Sequence, residues 1–173
     1  MNAVLGTKFN VIQGYKGQTE IWLAMERGEI QGSAGPFFSS LRNSKSEWLR
    51  ENKLTVLAQI GLEKHPDLPN VPLILDFAKT NEERQAIELA VASLTMGRPY
   101  VLPEGVPAAQ VKTLRDSFMA TMKDPALLAD AKKLKLEVDA IDGDAVHSLL
   151  AKMYGTPKPI IDKVTAIFVP EKK

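Results

Sequence analysis

Lys16 stands alone as a cation between two glycines in Gly14-Tyr15-Lys16-Gly17, and a second turn of small residues, Ser33-Ala34-Gly35-Pro36, follows after a helical pattern. Such turns suit anion binding. Glycine lets an oxygen approach the backbone amides closely, and an ammonium or a phenol hydroxyl adds a charge or a donor. The same residues equally suit a packed ring, a solvated charge and a simple reversal of the chain. Other chemistry is poorly served. Cysteine is absent, which excludes disulfides, thiolate zinc sites and a cysteine nucleophile. The two histidines, His65 in a proline-rich turn and His147 on a helical pattern, have no neighbour at metal-ligand spacing, so neither a metal nor a cofactor is expected. Ser39 and Ser40 have no histidine that the sequence sets beside them. Glu82-Glu83 and Asp142 with Asp144 read as acids at helix starts. No catalytic residue is expected, and the chain reads as a binding protein.

The charge balance points the same way. Residues 1–95 carry ten Lys/Arg against eleven Asp/Glu, and residues 96–173 carry twelve against ten. Neither half has the basic footprint of a nucleic-acid binder. Lys132, Lys133 and Lys135 form one cluster, at a helix end where cations favour the macrodipole. No run reaches the roughly 18 apolar residues of a membrane span, and the N-terminus lacks the apolar core of a signal peptide.

The turns would be positioned by a βαβ unit over residues 8–41. Phe9, Val11 and Ile12 form an apolar run ending at Gly14, a helix carrying Ile21, Ala24 and Met25 ends at Gly28, and a second strand runs over residues 30–34. In parallel sheets ligands gather at the carboxyl ends of strands, where both turns would then lie. A short helix over residues 46–52 follows, and Leu54-Thr55-Val56-Leu57-Ala58-Gln59-Ile60 is the strongest strand pattern, apolar on both faces as a buried parallel strand would be. Prolines 66, 69 and 72 exclude regular structure around them. The Thr80–Glu83 spacing predicts a capped helix ending at Gly97, and Asp124-Pro125 and Asp142 predict two more starts. Strandlets are expected near residues 98–102 and 136–138, with helices filling the rest up to Phe168.

Several stretches together resemble one family. Gly14-Tyr15-Lys16-Gly17, Ala24-Met25-Glu26-Arg27-Gly28-Glu29-Ile30, residues 54–59, His65-Pro66-Asp67-Leu68-Pro69-Asn70-Val71-Pro72, Pro103-Glu104-Gly105-Val106-Pro107 and Met122-Lys123-Asp124-Pro125 are similar, in order, to signatures of the extracytoplasmic substrate-binding proteins of tripartite tricarboxylate transporters, the Bug family. The resemblance covers essentially the whole chain. It implies an α/β, periplasmic-binding-protein-like Venus-flytrap fold, of which this chain would be the C-terminal portion. Residues 1–95 would be part of domain two and residues 96–173 the returning part of domain one, with about the N-terminal half lacking.

The function implied is capture of a small carboxylate in the periplasm and its delivery to membrane transporter subunits. Gly14, Tyr15, Lys16, Gly17, Ser33, Ala34, Gly35 and Pro36 would form one wall of the ligand cleft. Many members carry an acidic residue near the position of Gly35, so recognition of a ligand amine is not implied. Two alternatives come from other classes: a stand-alone α/β interaction module that self-associates, and an enzyme reusing the fold, for which Lys16 is the only titratable candidate near the turns.

Overall fold

The computed structural model describes residues 1–168. Helices dominate, several of them starting at a local capping signal. They are α1 (Asn2–Leu5), α2 (Gln18–Glu26), α3 (Phe38–Ser44), α4 (Ser46–Arg50), α5 (Asn81–Met96), α6 (Ala108–Thr121), α7 (Pro125–Lys133), α8 (Gly143–Tyr154) and α9 (Lys158–Phe168), with a 3₁₀ turn at Ile74–Phe77. The caps are those the spacing predicts. Thr80 Oγ1 accepts from the Glu83 amide at 3.1 Å while the Glu83 carboxylate accepts from the amides of Thr80 and Lys79 at 3.3 and 2.6 Å. Asp124 Oδ1 accepts from Ala126 and Leu127 at 2.9 and 3.0 Å with Pro125 in the first turn, and Asp142 Oδ1 accepts from Asp144 and Ala145 at 3.0 and 2.8 Å. Each satisfies first-turn donors that have no partner within the helix.

The α/β expectation fails, and with it the Venus-flytrap fold. Among the described residues there is no sheet; one isolated parallel bridge joins Gln59 to Leu73, with the Gln59 amide on Pro72 O and the Ile74 amide on Gln59 O, both at 2.8 Å. The apolar runs at residues 9–12, 30–34, 54–58, 98–102 and 136–138 all lie outside regular structure. Alternation and β-branching describe how side chains would sit on a pleat, but a strand exists only if a second backbone lies about 4.8 Å away. None does here. Phe9 illustrates the substitute: its amide donates to the Asn2 side-chain oxygen at 3.0 Å, and its carbonyl accepts from the Asn2 side-chain nitrogen at 2.8 Å. One side-chain amide thus occupies the backbone groups that a neighbouring strand would pair.

The described chain forms two compact units. The first contains residues 1–2 and 6–56; the second contains residues 3–5 and the chain from Leu57 on. In the first unit Trp22 and Ala24 of α2 and Leu41 of α3 are buried. The two tryptophans flank Lys45, whose ammonium lies 4.6 Å from the Trp48 ring centre and 5.9 Å from that of Trp22, and pairs with Glu26 at 2.6 Å.

The second unit is organised around α5. Its Ile87 and Val91, one turn apart, join Ile74 and Leu75 of the 3₁₀ turn in one apolar cluster. Ala86 presents another face of the same helix to Ile160 and Val164 of α9 and is completely buried. Burial of each such valine or isoleucine contributes roughly 1.5–3 kcal/mol. Gln59, only 9% exposed, holds the proline-rich loop: its side-chain nitrogen donates to Leu68 O and Val71 O, both at 2.9 Å, and its side-chain oxygen accepts from the His65 amide at 2.7 Å.

Candidate functional site

Both glycine turns lie in the first unit. The chain enters α2 through Gly14-Tyr15-Lys16-Gly17, with Gly14 at φ +105° and Gly17 at the N-cap with an extended φ of 177°. Gly35, at φ +127°, leads to Pro36 and then α3. Gly14, Lys16, Gly17, Ser33, Ala34 and Gly35 are exposed, whereas Tyr15 and Pro36 are half-buried. No hydrogen bond joins one turn to the other among the described residues.

The two kinds of glycine differ physically. A Cβ at Gly14, Gly17 or Gly35 would meet no atom within 4 Å. Gly14 and Gly35 are therefore favoured for their left-handed backbone and not for space, while Gly17 is required for neither. The open faces of these turns are available to an outside molecule.

The first turn does hold a carboxylate, and it is the chain's own. Lys16 N donates to Glu20 Oε2 at 2.8 Å, a first-turn acid reaching back to the amide that precedes the N-cap. Helix N-termini attract negative charge through such unpaired donors and the macrodipole. Glu20 thereby mimics the contact expected of a ligand, and occupies it.

The acids set aside as helix-start residues are engaged structurally. Asp144 pairs with Arg115 at 2.8 Å, and Glu82 pairs with Lys163 at 2.7 Å. His65 Nδ1 accepts from the Asp67 amide at 3.1 Å, and its Nε2 lies 3.6 Å from Glu137. Lys53 is held above its ordinary pKa range by its hydrogen bond and charge pairing with Glu51 at 2.7 Å. No group of three or more acidic, histidine or cysteine side chains suited to a metal occurs among the described residues, and no helix there is long and apolar enough to cross a membrane.

One arrangement had no expectation attached to it. In the second unit Arg84 and Glu88 of α5 meet Lys152 of α8 beside a cleft of about 270 Å³. The i,i+4 spacing of Arg84 and Glu88 is readable on one helix. Lys152 arrives from far along the chain, so only the packing of α8 on α5 reveals the group. No family model, curated protein or solved structure matches the chain.

Proposed function

We propose that the chain contributes to an extracytoplasmic solute-binding protein that captures a small carboxylate and presents it to subunits of a tripartite tricarboxylate-type membrane transporter. The observation that carries this reading is the Gly14–Gly17 turn, whose Lys16 amide already accommodates a carboxylate at 2.8 Å and whose glycines are open to solvent. A ligand carboxylate would displace Glu20 and gain the exposed Lys16 ammonium. The resemblance of several stretches, in order, to signatures of that family supplies the transport context. Calorimetric titration with citrate and succinate tests the site. Glu20→Gln, which removes the internal competitor, should tighten binding about threefold, and Lys16→Gln should weaken it by a similar factor, as a screened, charge-assisted contact allows. On this reading the two turns form one wall of the cleft, so binding should be weak; tight binding, or weak binding indifferent to both substitutions, would overturn it.

A second reading, self-association, is favoured by the uncovered apolar segments. Tyr100 is 88% exposed and Val101 82%, and Phe9, Val11, Ile12, Leu57 and Leu136 are also exposed. Large apolar side chains on unpaired extended backbone favour contact with another surface. Light scattering after size exclusion would show a concentration-dependent dimer on this reading. A monomer at high micromolar concentration would exclude it.

A further inference from the structure

We infer that the cleft between α5 and the end of α8 binds a small monoanion with an apolar body, such as an aromatic or medium-chain monocarboxylate. The site shares no residue with the glycine turns. Its charge count gives the sign. Glu88 Oε1 lies 3.3 Å from Arg84 Nε, and Glu88 Oε2 lies 2.8 Å from Lys152 Nζ. Two cations from different helices therefore converge on one carboxylate, leaving a net positive charge. Donors are available as well: a guanidinium carries five N–H bonds and an ammonium three, more than one carboxylate takes up. Glu88 is 20% exposed on its side chain, whereas Arg84 and Lys152 are 53% and 65% exposed, so both cations stay open to an incoming anion.

The cleft wall gives the other half of the ligand. Leu62, Leu89 and Met153 line it beside the charged group. A volume of about 270 Å³ lies just below the roughly 300–1,000 Å³ of drug-sized pockets and suits a compact molecule. Apolar lining with a few convergent polar groups is the usual composition of a small-molecule site. An anion at Arg84 and Lys152 can place an apolar body against the leucines. A dianion would exceed the single uncompensated charge, and a neutral molecule would leave it unused.

Titration of the ¹⁵N-labelled chain with benzoate, benzyl alcohol and inorganic phosphate tests the assignment. Benzoate should shift amide signals of Glu88, Leu89, Lys152 and Met153 saturably, at least about tenfold more tightly than the alcohol or phosphate, the scale of one charge-assisted hydrogen bond. Arg84→Gln and Lys152→Gln should each weaken benzoate binding about three- to tenfold. Glu88→Gln, which removes the internal competitor, should strengthen it by a similar factor. Benzoate binding to the unsubstituted chain should also weaken as sodium chloride rises, which tests the charge requirement should Glu88→Gln fail to fold. Equal binding of benzyl alcohol or of phosphate, linear unsaturable shifts, weaker binding by a folded Glu88→Gln variant, or indifference to salt would each overturn the proposal.

Discussion

Gln59→Met isolates the contribution of one side chain to the ordering of a loop. Methionine nearly preserves the volume and flexibility of glutamine and removes its polar atoms, so the cavity term is small. Three hydrogen bonds disappear together: those from the side-chain nitrogen to Leu68 O and Val71 O, and that from the His65 amide to the side-chain oxygen. Each is worth about 0.5–1.5 kcal/mol net, and partners left buried cost more than partners that rehydrate. His65 and Leu68 are half-buried and neighbour exposed positions, so water can replace part of the loss. The expected total is therefore about 2–4 kcal/mol. With a urea slope of roughly 1.5 kcal/mol/M for a unit of this size, the midpoint should fall by about 1.3–2.7 M. Urea unfolding followed by circular dichroism at 222 nm reads this transition, since α5 to α9 all belong to the second unit. Hydrogen exchange gives a local check: the His65 amide should lose protection in Gln59→Met while the Ile87 amide within α5 keeps it under native conditions. A midpoint change below about 0.3 M, with His65 protection unchanged, would refute the idea that this side chain organises the loop.

Three further outcomes follow from the same packing. Ala86→Leu puts a branched side chain where α5 meets Ile160 and Val164 with no exposed surface, and should cost about 1–3 kcal/mol in urea unfolding, whereas the same change at exposed Ala109 should fall within about 0.5 kcal/mol. Lys45→Met removes the ammonium between the two indole rings and its pair with Glu26, so tryptophan emission should change and the first unit lose about 1 kcal/mol; unchanged emission would contradict the cation–ring contact. Gly14→Ala should destabilise by about 1 kcal/mol because it needs φ +105°, while Gly17→Ala, extended and unobstructed, should be neutral or raise stability by about 0.4–1 kcal/mol, read as melting temperatures.

The helices were legible because their signals are local. Thr80 with Glu83, Asp124 with Pro125, and Asp142 each act on amides two or three positions away, so their chemistry is complete within one turn. The glycine turns were legible to the same degree: their position before α2 and before α3 follows from the residues that break the pattern, whereas the capture of the Lys16 amide by Glu20 adds a competitor that spacing alone did not bring to attention. Short α3 was missed because Phe38 to Ser44 has no cap side chain and only Leu41 buried.

Strands behaved otherwise. Residues 54–60 carry the strongest strand pattern in the chain, apolar on both faces, yet only Gln59 acquires a partner, because pairing depends on a second backbone that no local pattern can supply. The two candidate sites differ in the same way. Local propensity and capping set where the helices begin and which residues the turns display. The meeting of Arg84, Glu88 and Lys152, and the three bonds that make Gln59 a loop anchor, exist only because packing of apolar faces such as Ile87, Val91, Ile160 and Val164 brings distant segments together, and that burial is a sum over the whole unit.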